Sequence, residues 1–142
     1  MDEGKKIYGK ANLANELSAI PPVPDSEARH RAHTLVKTDT IRVVVVSILE
    51  GGQLLDHSAP GPITIHALEG AIDVDVDGES HVLNAGELIS LAPGVRHAVT
   101  GVKDGSFLLT IGVMTRVPDP GGHRAIEEHD RFLAGQAPGE TE

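Results

Sequence analysis

Apolar side chains along this chain recur mainly at every second position, in short runs cut by Gly, Pro and Asp. Residues 41–49, IRVVVVSIL, form a β-branched run that Gly51-Gly52 ends, which suits a strand better than a helix. In 62–68, PITIHAL, the residues Ile63, Ile65 and Ala67 alternate with Thr64, His66 and Leu68. In 71–78, AIDVDVDG, the residues Ile72, Val74 and Val76 alternate with three aspartates. Glu69-Gly70 and Asp77-Gly78 read as turns, the second leading into 79–83, ESHVL. Residues 87–94 and 106–114 supply two further strands. Short strands with such punctuation roughly every 8–12 residues predict an all-β sandwich or barrel.

The flanks read differently. Residues 1–33 are polar, with the proline cluster IPPVPD at 20–25. Within them KANLANELSAI places Leu13, Leu17 and Ile20 on one side of one or two helical turns. This segment is expected to be an N-terminal arm covering an edge of the domain, with the barrel over 34–116. Residues 117–142 are expected to hold a linker, a short helix over 124–135 that Gly135 ends, and a loose tail.

Composition narrows the function classes. A chain of 142 residues supports one domain. Acidic side chains outnumber basic ones 21 to 12, a formal charge of −9, which opposes tracking of nucleic-acid phosphates. The three aromatics, Tyr8, Phe107 and Phe132, offer no platform for stacked bases. Without cysteine there is no disulfide, thiolate metal site or cysteine nucleophile. No apolar stretch is long enough for a membrane helix or a signal region, so the expected location is cytoplasmic.

Eight histidines are the main chemical clue. His30 and His33 in ARHRAH have no third ligand nearby and read as a surface cluster. His123, Glu127, Glu128 and His129 miss the His-Glu-x-x-His spacing of zinc proteases and read as an exposed charged helix. DVDVDG at 73–78 opens like a calcium loop, but Asn84 stands where the bidentate Glu belongs, so it reads as a hairpin. No serine elbow, dinucleotide glycine motif or P-loop occurs.

His57 and His97 sit in a more telling context. Gly51, five residues, His57 and a closing Gly70 form one stretch. Gly86, Ala92-Pro93-Gly94 and His97 form another. Together they resemble the two motifs of the cupin superfamily, over roughly residues 34–116. The resemblance implies an antiparallel jelly-roll or double-stranded β-helix barrel with one end open to a small ligand. It also implies a homodimer paired through a sheet face or edge. In metal-binding cupins the first motif supplies two histidines and a glutamate, and the second one histidine.

Here the second histidine position is Ala59, the glutamate position is Ile63, and the closing asparagine position of the second motif is Gly101. His57 and His97 remain as ligands for Fe, Mn, Ni or Zn, with no nucleotide cofactor implied. His66 is a possible third. Alternation points it away from Ile63 and Ile65, unless a bulge in APGPIT reverses the register. Ala59, Ile63 and Arg96 are the expected pocket residues, Arg96 being the one suited to an anionic ligand. Two readings follow. One is a small-molecule binding barrel with a partial two-histidine metal site. The other is a metal-dependent enzyme, dioxygenase- or isomerase-like, acting on a small organic substrate.

Overall fold

The computed structural model describes residue 4 and residues 6–22 and 29–113. In chain order these form α1 (Leu13–Ser18), β1 (His30–Lys37), β2 (Ile41–Ile48), β3 (Gln53–His57), β4 (Ile63–Val76), β5 (Glu79–Asn84), β6 (Leu88–Leu91) and β7 (His97–Gly112). Every strand pairing is antiparallel. The expected linker, helix and tail after residue 116, with His123, Glu127, Glu128 and His129, lie outside the described residues.

Two long strands organise the fold. β4 and β7 pair along most of their length, from Ile63↔Ile111 to Val76↔His97, with register shifts between Ala67 and Ile72. Glu69-Gly70 therefore does not end a strand as the sequence suggested. It is a bulged bend within one, where β4 passes from one wall of the barrel to the other. The bend needs glycine on both strands. Gly70 has φ +70°, and a Cβ there would lie 2.3 Å from the Asp104 carbonyl oxygen. A Cβ on Gly105 would lie 2.0 Å from the Glu69 carbonyl oxygen. The register shifts exchange inner and outer positions, which is why the core residues of β4 are Ile63, Ile65 and Ala67 before the bend and Ile72 and Val74 after it, with Ala71 also buried between the shifts.

One wall is β1-β2-β7-β4-β6, using the second half of β7 and the first half of β4. The other is β3-β7-β4-β5, using the remaining halves. Between them pack Val44, Val46, Ile48, Leu54, Ile63, Ile65, Ile72, Val74, Val99, Phe107, Leu109 and Ile111. This is the double-stranded β-helix barrel that the resemblance implied, where the alternation by itself predicted a sandwich or barrel.

The N-terminal segment covers the outside of β2. Ile20 is buried, its carbonyl accepts from the Ser47 hydroxyl, and the Pro21 carbonyl accepts from Arg31 Nη1 at 3.3 Å. Asn12 caps α1 by accepting from the Asn15 backbone at 3.0 Å. β1 begins at His30, so the first strand draws on residues that read as arm. His33 is exposed beside Glu16 at 3.3 Å, as a surface histidine should be. His30 corrects its expectation: it is buried, on the same side of β1 as Ala32, because it pairs with Ile48 at the core.

Both ends of β4 and β7 lie at the end of the barrel opposite their bend, and four links lace that end together. The Thr40 carbonyl accepts from Val113 at 2.9 Å, and the Pro62 carbonyl from Gly112 at 2.8 Å. The Ala59 carbonyl accepts from Gly94 at 2.8 Å, and the Arg96 carbonyl from Asp77 at 3.1 Å. We call this end the mouth.

Candidate functional site

His57 and His97 meet at the mouth. They are register partners across β3 and β7, and His97 is also the partner of Val76 on β4. Directly opposed residues of an antiparallel pair share a face, with Cα atoms about 4.5–5.5 Å apart. His57 reaches that face through a register shift between Leu54 and His57. Leu54 and His57 would otherwise face opposite ways, since three positions separate them. The shift sets both inward, Leu54 against Val99 and His57 against His97.

His97 follows the turn at Pro93-Gly94, where Gly94 has φ +79°. Its Nδ1 donates to the Val95 carbonyl at 3.2 Å. A carbonyl only accepts, so Nδ1 carries the proton and the neutral ring's lone pair lies on Nε2. A backbone carbonyl fixing one ring nitrogen is the usual way a ligating imidazole is oriented. His97 is 5% exposed, and the Nε2 atom of His57 is buried.

The other residues of the implied ligand set are hydrocarbon. Ala59 and Ile63 are both buried in the core cluster, Ile63 between Leu91 and Ile111. His66 sits between Leu88 and Leu108 on β6 and β7, at the positions alternate to buried Ile65 and Leu109. No bulge intervenes between Ile63 and His66, so alternation turns it to the outer face, away from His57 and His97. Arg96 is exposed and alternates outward from Val95 and His97. DVDVDG forms the expected β4–β5 hairpin, with Asp75 accepting from the Gly78 backbone at 2.8 Å.

Among the described residues no three His, Cys, Asp or Glu side chains converge as a metal site. The donors among the described residues therefore do not fit a four-ligand transition-metal centre. They offer two nitrogens, enough only for a weak, exchangeable ion.

Sequence reasoning missed Arg42. It lies on β2 at positions alternate to Val43 and Val45, in step with core residues Val44, Val46 and Ile48, and is 7% exposed. Register joins Arg42 to Ile111, Ile111 to Ile63 and Ile63 to Leu91 in one row across the first wall. Its Nη1 donates to the Thr38 carbonyl in the β1–β2 connection. The one signal in the sequence is an arginine in step with alternate valines, hidden in a run that is apolar at nearly every position.

Residues 44–111 match the model of the cupin domain family. A conserved protein of unknown function from Streptococcus pyogenes is similar at 24% identity, over 78% of this chain and 89% of that one, with TM-score 0.60. An RmlC-like cupin from Shewanella frigidimarina aligns at 19% identity over 78% of this chain and 97% of that one, with TM-score 0.61. KdgF from a Halomonas species aligns at 18% identity over 65% and 86%, with TM-score 0.56. No curated protein matches the chain. Identities this low carry the fold and not an activity.

Proposed function

Because the chain belongs to the cupin superfamily, we propose that it binds a small molecule at the mouth of its barrel, against the His57–His97 pair. The observation that carries this reading is the cross-strand pairing of the two histidines, set among the buried hydrocarbon of Ala59 and Ile63 and the half-buried Val76. Such a lining suits recognition of a mostly apolar ligand, with two imidazoles to orient one polar group. A transition ion of Fe, Mn, Ni or Zn held by this partial site is a weak accessory to binding. The same reading includes a second copy of the chain on the outer sheet face. There Leu88, His66 and Leu108 form one row, and Leu88 is 58% exposed.

The test is a thermal-shift screen of small organic compounds on untagged protein, run beside metal analysis. Shifts that vanish in His57→Ala and His97→Ala, with sub-stoichiometric metal throughout, are the expected result. Near-stoichiometric metal lost in those variants would favour a metal-dependent enzyme instead. No compound shifting the wild type would leave the barrel a structural unit.

A further inference from the structure

We propose that residues 6–10, the tip of the N-terminal segment, dock on the outer face of the second wall of another copy of this chain, joining copies head to tail. This contact is independent of ligand binding at the mouth and of pairing through Leu88.

Among the described residues the large exposed apolar side chains fall in three places. Leu88 stands on the first wall. Ile7 and Tyr8, 73% and 52% exposed, stand together at the tip of the N-terminal segment. Leu55, Val82 and Val102 belong to the second wall. Leu55 and Val82 alternate outward from buried Leu54 and Leu83, and Val102 lies two positions beyond Thr100 on β7. The row Gln53, Thr100, Asp73, Val82 crosses this face on β3, β7, β4 and β5. Apolar side chains grouped within charged surroundings mark a contact surface better than single ones do.

The second and third patches are opposite in charge. Residues 4–12 hold Lys5, Lys6 and Lys10 and no acid, following Asp2 and Glu3 in a chain of net charge −9. Among the described residues neither Lys6 nor Lys10 forms an ion pair. The second wall presents Asp73 and Asp75, which alternate outward from buried Ile72 and Val74. Asp73 accepts from the Ser80 hydroxyl and Asp75 from the Gly78 backbone. Both donors are neutral, so the two carboxylates keep their charge. Arg96 brings a cation to the mouth end of the face, beside Asp77, and not to the Asp73 row. The sizes also agree: residues 6 to 10 span at most about 14 Å of extended chain, and four neighbouring strands about 14 Å.

The tip cannot reach its own second wall. A Cβ on Gly9 would lie 3.3 Å from Val36 Cγ2 and 3.4 Å from the Leu35 carbonyl oxygen, so the segment is seated against β1 in the first wall. Ile7 is two residues further on, about 7 Å of chain, whereas packed walls alone lie about 10 Å apart. The patches are thus on opposite sides of one copy. Their contact is heterologous, and it repeats from copy to copy instead of closing at two.

Sedimentation velocity of the full chain tests this over a range of concentrations at about 0.01 M and about 1 M salt, where the Debye length is about 30 Å and about 3 Å. The wild type should grow past the dimer with concentration at low salt and not at high salt. Lys6→Glu with Lys10→Glu, and Asp73→Lys with Asp75→Lys, should each weaken that growth about tenfold or more. Net charge alone would move these two variants in opposite directions. Mixed in equal amounts they should assemble again, because each tip then meets a face of opposite charge. Ile7→Ser with Tyr8→Ser should weaken growth at unchanged charge, and Leu88→Glu should leave growth past two copies intact. Circular dichroism checks each fold, and Val82→Ser replaces the aspartate variant if that one fails to fold. No growth of the wild type at low salt would overturn the proposal. So would growth unchanged by either charge reversal, or reversed variants that do not assemble together. Growth abolished by Leu88→Glu would assign it to the first wall and overturn the proposal equally.

Discussion

His57 and His97 lie forty positions apart in the chain and directly opposite one another across β3 and β7. A single register shift between Leu54 and His57 brings this about. Inserting or deleting one residue between Leu54 and His57 should turn His57 out of the mouth, because strand period is two. Such a variant should keep its far-ultraviolet dichroism and lose the histidine-dependent ligand shifts. Retention of those shifts would separate binding from the pair.

The crossing of β4 and β7 is the point of least tolerance in the backbone. Gly105→Ala places a methyl carbon 2.0 Å from the Glu69 carbonyl oxygen, which no rotamer change relieves. Gly70→Ala adds a positive φ to a similar clash. Each should cost at least about 2 kcal/mol, the scale of backbone strain combined with a forced shift. Gly78→Ala, with φ +87° but nothing within 4 Å, should cost distinctly less. Urea denaturation of the three variants gives the order, and a Gly105→Ala cost no greater than that of Gly78→Ala would show that a backbone shift relieves the crowding.

What could be read in the sequence depended on how many faces of a strand were covered. β4 alternates cleanly from Ile63 to Ala67 because its outer positions, Thr64 and His66, are not core, so the outward placement of His66 was legible. β2 is buried on both sides, inside by the core and outside beneath Ile20, so Val45 and Ser47 are as buried as Val44 and Val46. With no polar face there is no period to read, and the inward position of Arg42 was invisible. Glu69-Gly70 carries the same local signature whether the chain turns back or bends onward. Only the close approach of Gly105, far along the chain, makes it a bend. β3 is short, and its inward residues depend on a bulge that has no residue signature of its own.

The segment over β2 should contribute measurable stability. Ser47 donates to the Ile20 carbonyl in a buried setting. Ser47→Ala should cost about 1 kcal/mol for the lost hydrogen bond and the buried carbonyl left behind. Removal of residues 1–22 should cost more than Ser47→Ala, because Val45 then meets water. Equal midpoints for full-length and truncated protein in urea would show that the segment adds nothing.

Leu88 tests the outer face. It is 58% exposed beside His66 and Leu108. Leu88→Glu should shift the protein from dimer to monomer in light scattering at micromolar concentration without changing its melting profile as a monomer. A wild type that is monomeric across that range would refute pairing through this face, and a dimer unaffected by the charge would place the contact elsewhere.

The hydrocarbon at two ligand positions leads to a gain-of-function prediction. Ala59 and Ile63 are buried, and Ala59 follows His57 by two positions at the edge of the mouth. If these side chains alone stand between the His57–His97 pair and a full donor set, Ala59→His with Ile63→Glu should complete it. The double variant should be less stable than wild type without metal, because a carboxylate replaces a core isoleucine. With Zn or Mn it should regain stability, by about 2.7 kcal/mol at a free ion concentration one hundred times Kd. Wild type under the same conditions should gain little, since two imidazoles hold an ion weakly. Equal metal-dependent stabilisation of both proteins would mean that donors other than these positions complete the site. No stabilisation of either would mean that the mouth backbone does not bring positions 59 and 63 within ligating distance of the pair.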